Sequence, residues 1–168
     1  MSLTLLQSSL TALLIDGNAH SAKLITALIR QSGIGSVMVA ANAQDGLQLL
    51  RLGSPDVVVC DWRSDASSHQ DILCCIRDRN APHNPRVPVV IMSSEPELRH
   101  VLRARDLGAT EFVAKPVSQQ AMHRALKSAL ERPRPFIDEK SFFGPDRRRK
   151  KQPTPQERRE RQKGDLAT

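Results

Sequence analysis

The chain is poor in the residues that build disulfide frameworks, metal clusters and aromatic cores. Its 168 residues include no tyrosine, one tryptophan, four phenylalanines and three cysteines. Cys60, Cys74 and Cys75 are an odd set without the spacing of a zinc site, which argues against a disulfide scaffold and a structural zinc centre. We expect all three to be reduced residues of the core or of a helix. A redox role for the adjacent Cys74 and Cys75 is the less favoured alternative.

Long apolar runs are also missing. No stretch reaches the roughly 20 apolar residues that a membrane-spanning helix needs. The segment from Met1 to Leu10 has neither the basic flank nor the long apolar centre of a secretory signal. These two features predict a cytoplasmic protein with no membrane partner.

Charge divides the chain into two parts. Residues 1 to 132 hold 14 Lys and Arg against 12 Asp and Glu, whereas residues 133 to 168 hold 11 against 6. The second part also contains five prolines and the basic run Arg147 to Lys151. We therefore predict a globular domain over 1–132 and a mostly disordered, basic tail over 133–168. Phe136, Phe142 and Phe143 are unusual in such a tail and predict a segment that docks on the domain itself or on a partner.

Short apolar runs alternate with helical patterns along residues 1 to 132. Strands are predicted at 11–15, 36–40, 57–60, 89–92 and 111–114, and helices at 19–30, 43–52, 69–79 and 96–107. Ser118 is expected to cap a last helix that ends near Glu131. In the third helix Ile72, Leu73, Cys75 and Ile76 are expected to point inward, and Pro96 suits the first turn of the fourth. The order of the elements predicts an α/β fold with a doubly wound parallel sheet and helices on both faces.

Polar residues stand at the ends of four of these apolar runs. Asp16, Asp61, Ser93 and Lys115 each follow a predicted strand. Because parallel strands end at the same edge of a sheet, the four side chains are expected to converge there, where such folds place their sites. Two carboxylates, a hydroxyl and an amine at one edge can handle a phosphoryl group.

These residues, in this order and at these separations, resemble the receiver domain of two-component response regulators. The Lys115-Pro116 pair and the segment from Ala104 to Ala109 add to the likeness, which covers about residues 10 to 131. The resemblance implies a flavodoxin-like, five-stranded sheet in the order 2-1-3-4-5. It also implies an aspartate that accepts a phosphoryl group from a histidine kinase or a histidine phosphotransfer protein.

The resemblance assigns a role to each residue. Asp61 is the expected phosphoacceptor, because a carboxylate can attack phosphohistidine and form an acyl phosphate. Lys115 is expected to pair with the phosphoryl oxygens, Ser93 to donate its hydroxyl to them as the switch, and Phe112 to be the switch aromatic. Each residue also has a plain alternative: Asp61 as a turn residue, Ser93 as a helix cap, Lys115 as a surface amine and Phe112 as core.

One position departs from the receiver pattern. Receivers generally carry two adjacent acids after the first strand, whereas here Asp16 is followed by Gly17. The expected Mg²⁺ ligands are Asp16, Asp61 and the backbone carbonyl of Arg63, with binding weakened by Gly17 because an oxygen ligand and a negative charge are missing. Asn18 or Asp65 is a candidate to compensate.

Two functions of different classes follow. The first is a single-domain response regulator, not an enzyme, that is phosphorylated at Asp61 and signals by binding a downstream protein. The second is a pseudo-receiver that acts as an adaptor without phosphate, through the switch face or the tail. Homodimerisation through the last two helices and the fifth strand stays open. The tail also suits nucleic acid, but without a base-reading motif no specific DNA binding is expected.

Overall fold

The computed structural model describes residues 8–62, 67–139 and 142–147. Five strands and five helices alternate along the chain and are followed by a two-stranded hairpin. The strands are β1 (Thr11–Ile15), β2 (Ser36–Ala40), β3 (Val57–Trp62), β4 (Val89–Ser93), β5 (Glu111–Ala114), β6 (Phe136–Glu139) and β7 (Phe142–Pro145). The helices are α1 (Ala19–Gln31), α2 (Ala43–Gly53), α3 (Ser67–Ile76), α4 (Leu98–Asp106) and α5 (Gln119–Glu131).

The first five strands form one parallel sheet in the order β2-β1-β3-β4-β5. This confirms the predicted α/β fold and strand order. The three central strands lack polar alternation because both of their faces are covered. One apolar cluster joins alternate strand residues such as Leu14, Val59 and Met92 to α1 and α5, and a second joins Leu13, Val58 and Ile91 to the helices of the other face.

Polar caps start three of the helices. The side chains of Asn18, Asn42 and Ser118 accept hydrogen bonds from backbone N–H groups in the first turns of α1, α2 and α5. After α4, Gly108 has a φ of 95°, and an added Cβ would lie 3.0 Å from the Arg77 side chain. A side chain at Gly108 would therefore be strained both by the backbone and by its neighbour.

Several sequence-based expectations were wrong in detail. Strand β3 runs to Trp62 instead of ending at Cys60, because the indole is buried in the second core cluster. Helix α3 covers Ser67–Ile76, and Cys75, expected to point inward, is exposed on it next to the exposed Cys74. Pro96 precedes α4, since the first turn closes on the carbonyl of Glu97, which accepts from the backbone N–H groups of His100 and Val101.

The β6–β7 hairpin was not predicted. It packs against the connections that enter β4 and β5, at the amino end of the sheet. The guanidinium of Arg79 reaches Asp138 at 3.0 Å, and that of Arg86 lies 4.9 Å from the centre of the Phe136 ring. Phe136 and Phe143 meet edge to face with their centroids 4.7 Å apart. The aromatic segment therefore docks on the domain, one of the two options that the sequence left open.

Arg77 joins the hairpin to the core. Its buried guanidinium donates to the carbonyl oxygens of Gly108 (2.8 and 2.9 Å), Pro85 (2.7 Å) and Val87 (2.8 Å), and it lies 5.7 Å from the Phe136 ring. Burial lowers the pKa of Arg77 to about 10, which still leaves the side chain charged at neutral pH. Sequence reasoning missed this residue, because nothing local distinguishes a buried arginine from an exposed one.

Candidate functional site

The sheet brings the predicted site residues to its carboxyl end. Asp61 is the penultimate residue of β3 and pairs in register with Met92, whereas Ser93 closes β4 and pairs with Trp62. Asp16 directly follows β1, whose last residue, Ile15, pairs with Cys60. Lys115 directly follows β5, beyond the Ser93–Ala114 pair. Register therefore places all four predicted residues at one edge.

Asp61 and Lys115 form an ion pair at this edge. The Lys115 ammonium nitrogen lies 2.7 Å from Oδ1 of Asp61, and the two side chains keep 23% and 13% of their surface exposed. The Lys115 backbone N–H donates to the Ser93 carbonyl at 2.8 Å, and the Lys115-Pro116 peptide bond is cis. The amine is thus held beside the carboxylate while both stay accessible to a small reactant.

Ser93 is buried next to this pair. Its hydroxyl oxygen accepts a hydrogen bond of 3.0 Å from the backbone N–H of Glu95, which stabilises the turn into α4. A hydroxyl can accept and donate at the same time, so the turn leaves its proton available to an incoming oxygen. The turn role and the switch role are therefore compatible at Ser93.

Asp16 is buried and already has protein partners. Its Oδ1 accepts from the Asn18 backbone N–H at 2.9 Å, and its Oδ2 accepts from the Ser21 hydroxyl at 2.5 Å. Asn18, considered as a compensating ligand, uses its side-chain oxygen to cap α1 through the N–H groups of His20 and Ser21. The loop after β1 is thus tied to the start of α1, and Asn18 does not replace the missing acid.

There is little space for a side chain at Gly17. A Cβ added at this residue would lie 3.2 Å from the carbonyl oxygen of Ala41, closer than most side chains approach. Any larger residue here therefore requires a small shift of the Ala41 carbonyl.

The donor set suits a sparsely liganded Mg²⁺. Among residues 8–62, 67–139 and 142–147, no group of three or more Asp, Glu, His or Cys side chains could hold a metal ion. Mg²⁺ nevertheless binds through as few as one or two carboxylates and keeps several waters. Asp16 and Asp61 meet that minimum. Arg63 and Asp65, the other predicted or candidate ligands, lie outside the described residues.

The thiol of Cys60 lies beneath the site. Burial raises the pKa of Cys60 to about 12, and the negative charges of Asp61 and Asp16 add to the rise, while Lys115 opposes it. The thiol is therefore protonated at neutral pH and is a poor nucleophile. Cys60 fits the core role that the sequence predicted.

Phe112 lies on β5, the strand at the edge of the sheet. Its side chain is half-buried and packs against the second core cluster, with Ile91 as its neighbour on β4. It borders two surface cavities, one of about 530 Å³ towards α4 and one of about 480 Å³ towards α5. Phe112 therefore borders open space at the edge of the sheet, unlike a fully packed core residue.

Comparisons with known proteins agree with this geometry. A family model described as "Response regulator receiver domain" matches residues 12–127. The transcriptional regulatory protein GlrR of Escherichia coli K12 is 28% identical over 128 residues, which make up 76% of this chain but only 28% of GlrR. The chemotaxis protein CheY-3 of Vibrio cholerae is 24% identical over 76% of this chain and 97% of its own length.

Solved structures give the same result. A response regulator receiver domain protein from Clostridium thermocellum superimposes with a TM-score of 0.64 at 28% identity, over 74% of this chain and 96% of its own. A chain from Chloroflexus aurantiacus, described as a "putative response regulator", superimposes with a TM-score of 0.65 at 21% identity, over 73% of this chain and 98% of its own, which shows the shared fold.

The family match has direct consequences. Receiver domains belong to two-component systems, interact with histidine kinases or phosphotransfer proteins, and generally bind Mg²⁺ at their acidic pocket. Within the described part of this chain, no helix is long and apolar enough to cross a membrane. The converging strand ends, the sheet order and the match over residues 12–127 lead to one conclusion: the chain belongs to the response regulator receiver family.

Proposed function

We propose that this chain acts as a single-domain response regulator, phosphorylated on Asp61 by a histidine kinase or a histidine phosphotransfer protein. The observation that carries the proposal is the 2.7 Å pair between Asp61 and Lys115 at the carboxyl end of the sheet. The pair supplies a nucleophilic carboxylate beside a fixed positive charge. Phosphoryl transfer depends mainly on positioning and on stabilisation of charge, and this arrangement provides both.

In the proposed reaction, a carboxylate oxygen of Asp61 attacks the phosphorus atom of a phosphohistidine. The P–N bond breaks as the new P–O bond forms, and the leaving imidazole nitrogen keeps the electron pair and takes up a proton. Lys115 shifts from the Asp61 carboxylate to the phosphoryl oxygens and offsets their charge. Ser93 donates its hydroxyl proton to one of these oxygens.

Mg²⁺ held by Asp16 and Asp61 would neutralise charge on the phosphoryl oxygens. Asp16 also stabilises the loop after β1 through its bonds to Asn18 and Ser21, so its contribution is both structural and electrostatic. We expect weak Mg²⁺ binding, because Gly17 provides no ligand.

Signalling in this proposal is by protein contact and not by an enzymatic activity of the chain. Movement of Ser93 towards the phosphoryl group would shift the turn into α4, and Phe112, which borders a cavity beside α4, would follow. The altered surface of α4, β5 and α5 would bind a downstream protein or a second copy of the chain. As the target of a histidine kinase, the protein would act in the cytoplasm.

A second function is favoured by one specific observation. Gly17 stands where receivers usually carry the second acid, and both carboxylate oxygens of Asp16 already accept hydrogen bonds from the protein. A chain with this metal pocket suits an adaptor that signals through the same face without phosphate.

Acetyl phosphate separates the two functions. Incubated with this small phosphodonor and Mg²⁺, the wild-type chain is expected to gain the mass of one phosphoryl group in intact mass spectrometry. Asp61→Ala is expected to gain none. Asp45→Ala, which removes an exposed carboxylate on α2, serves as the matched control and should gain as much as wild type. No gain in wild type, or a gain that persists in Asp61→Ala, would rule out the phosphoacceptor role.

A further inference from the structure

Helix α4 is loosely packed between the phosphoacceptor site and the hairpin. All nine of its residues are described, and Ala104 alone among them is buried. Leu98 and Leu102, one helical turn apart, keep 72% and 37% of their surface exposed. An element with so few buried apolar side chains shifts at a low cost in free energy. The contacts at the two ends of α4 therefore do much to decide where the helix lies.

The amino end of α4 is tied to Ser93 through Glu95. The Glu95 backbone N–H donates to the Ser93 hydroxyl at 3.0 Å, and the Glu95 carbonyl oxygen lies 3.1 Å from Nδ1 of His100 in the first turn of the helix. Because Glu95 is held from both sides, movement of Ser93 towards a phosphoryl group is transmitted to α4.

The carboxyl end of α4 is held by the C-terminal segment. Arg134, just before the hairpin, donates to the carbonyl oxygens of Ala109 (3.2 Å) and Thr110, in the connection from α4 to β5. Arg147, just after the hairpin, has its Nε 3.8 Å from Oδ1 of Asp106, the last residue of α4. The segment thus fastens the final turn of the helix and the residues that follow it.

The hairpin also packs directly on the turn that ends α4. Gly144 of β7 is buried, and a Cβ added to it would lie 3.2 Å from Cα of Gly108. Gly108 has a φ of 95° and marks the turn from α4 towards β5. Arg77 donates to the carbonyl oxygen of the same glycine. A shift of α4 changes the backbone angles at this turn, and the docked hairpin resists that change.

We propose that the hairpin is a strap that holds α4 in its unphosphorylated position and so restrains the switch at Ser93. The inference rests on the proposed function, because it concerns the regulation of the same phosphoacceptor site. A helix of nine residues is about 14 Å long, so a strap at its carboxyl end acts on Ser93 through a rigid element. Linkage requires the reverse effect as well: if docking of the hairpin disfavours phosphorylation, phosphorylation loosens the hairpin.

The first test uses the full, unphosphorylated chain. Gly144→Val adds a side chain where Gly108 leaves no room and should undock the hairpin. Amide hydrogen exchange is then expected to quicken about fivefold or more in β6 and β7, and also in α4 and at Glu95, but not in β1 or β3. Arg134→Gln removes donors from the connection after α4 without adding bulk and should act in the same direction. Glu139→Gln, at an exposed residue of β6, is the matched control and should exchange as wild type does.

The second test measures the switch. With acetyl phosphate and Mg²⁺, Gly144→Val and Arg134→Gln should gain the phosphoryl mass about fivefold faster than wild type, the ratio that corresponds to the net loss of one hydrogen bond. Glu139→Gln should gain it at the wild-type rate. In wild type kept phosphorylated by excess acetyl phosphate, exchange in β6 and β7 should be faster than in the unphosphorylated chain.

Three outcomes would overturn the inference. The first is unchanged exchange in β6 and β7 of both variants, since the contacts at Gly108 and Arg134 would then not hold the hairpin. The second is faster exchange in the hairpin without faster exchange in α4. The third is phosphoryl uptake at the wild-type rate by variants whose hairpin is released. A hairpin that only stabilises the domain gives the second and third results.

The two proposals fail separately. If wild type takes up no phosphoryl group but α4 exchanges faster in Gly144→Val, the phosphoacceptor role is removed and the coupling between hairpin and helix remains. Phosphoryl uptake on Asp61 with unchanged exchange in α4 of both variants would do the reverse.

Discussion

At the carboxyl end of the sheet, Asp61 and Lys115 form an accessible ion pair, whereas at the amino end the guanidinium of Arg77 is buried and donates only to carbonyl groups. The first arrangement leaves both charges open to a reactant. In the second arrangement, Arg77 donates to three backbone carbonyls and so connects two loops to each other and to the hairpin. Charge at one end of the same sheet is thus available for chemistry, and at the other end it is part of the core.

The largest effect that tests this contrast is on stability. Arg77→Met should lower the free energy of unfolding by about 3 kcal/mol, because the carbonyls of Gly108, Pro85 and Val87 lose their donors in a buried place. Urea denaturation measures this free energy of unfolding. Arg79→Met, at a side chain that is 44% exposed, is the control and should change stability by less than about 1 kcal/mol. Equal effects of the two variants would show that burial does not distinguish these arginines.

An intermediate effect concerns the carboxyl end. Gly17→Asp should tighten Mg²⁺ binding by about tenfold, because it adds a carboxylate to a site with two. Emission of Trp62, the single tryptophan and the neighbour of Asp61, reports the titration. Gly17→Ala makes the same 3.2 Å approach to the Ala41 carbonyl without adding a ligand, so it isolates the steric cost. If Gly17→Ala and Gly17→Asp bind Mg²⁺ with the same affinity, the absence of a carboxylate at position 17 does not weaken Mg²⁺ binding.

The smallest effect concerns the hairpin. Phe136→Ala removes the ring that faces Arg77, Arg86 and Phe143, and should lower stability by about 1 kcal/mol. Amide hydrogen exchange should quicken in β6 and β7 but not in β1 or β3. Leu24→Ala, at a leucine that is 70% exposed, controls for apolar truncation and should leave exchange unchanged. Faster exchange throughout the sheet would mean that the hairpin and the domain unfold as one unit.

Much of the site was predictable because it depends on strand ends. The apolar runs before Asp16, Asp61 and Ser93 are continuous, as burial of both faces of the three central strands requires, so the sequence located the carboxyl ends of these strands to within two residues. Parallel register then brings the four residues together with no further information. The ion pair between Asp61 and Lys115 could not be predicted from register, because register locates the backbone of a residue but not the end of its side chain.

Predictions failed where neighbours distant in sequence decide the outcome. Cys75 was expected to point inward on a helical pattern, yet it is exposed, because the helix turns Ile72, Leu73 and Ile76 to the core. The hairpin escaped prediction because its strands are short and its stability depends on Arg77 and Arg86, about 50 residues or more away along the chain. Local pattern cannot report such a contact.

The sequence by itself determined the alternation of strands and helices, the family and the four residues at the strand ends, because burial on two faces and the order of the elements are properties of local pattern. Only the tertiary structure decided that Arg77 is buried, that Phe136–Glu139 and Phe142–Pro145 pair as a hairpin, and that Arg134 and Arg147 on either side of it line a groove beside Phe112. These features depend on contacts between segments far apart in the chain, and such contacts stabilise the protein only once it has folded.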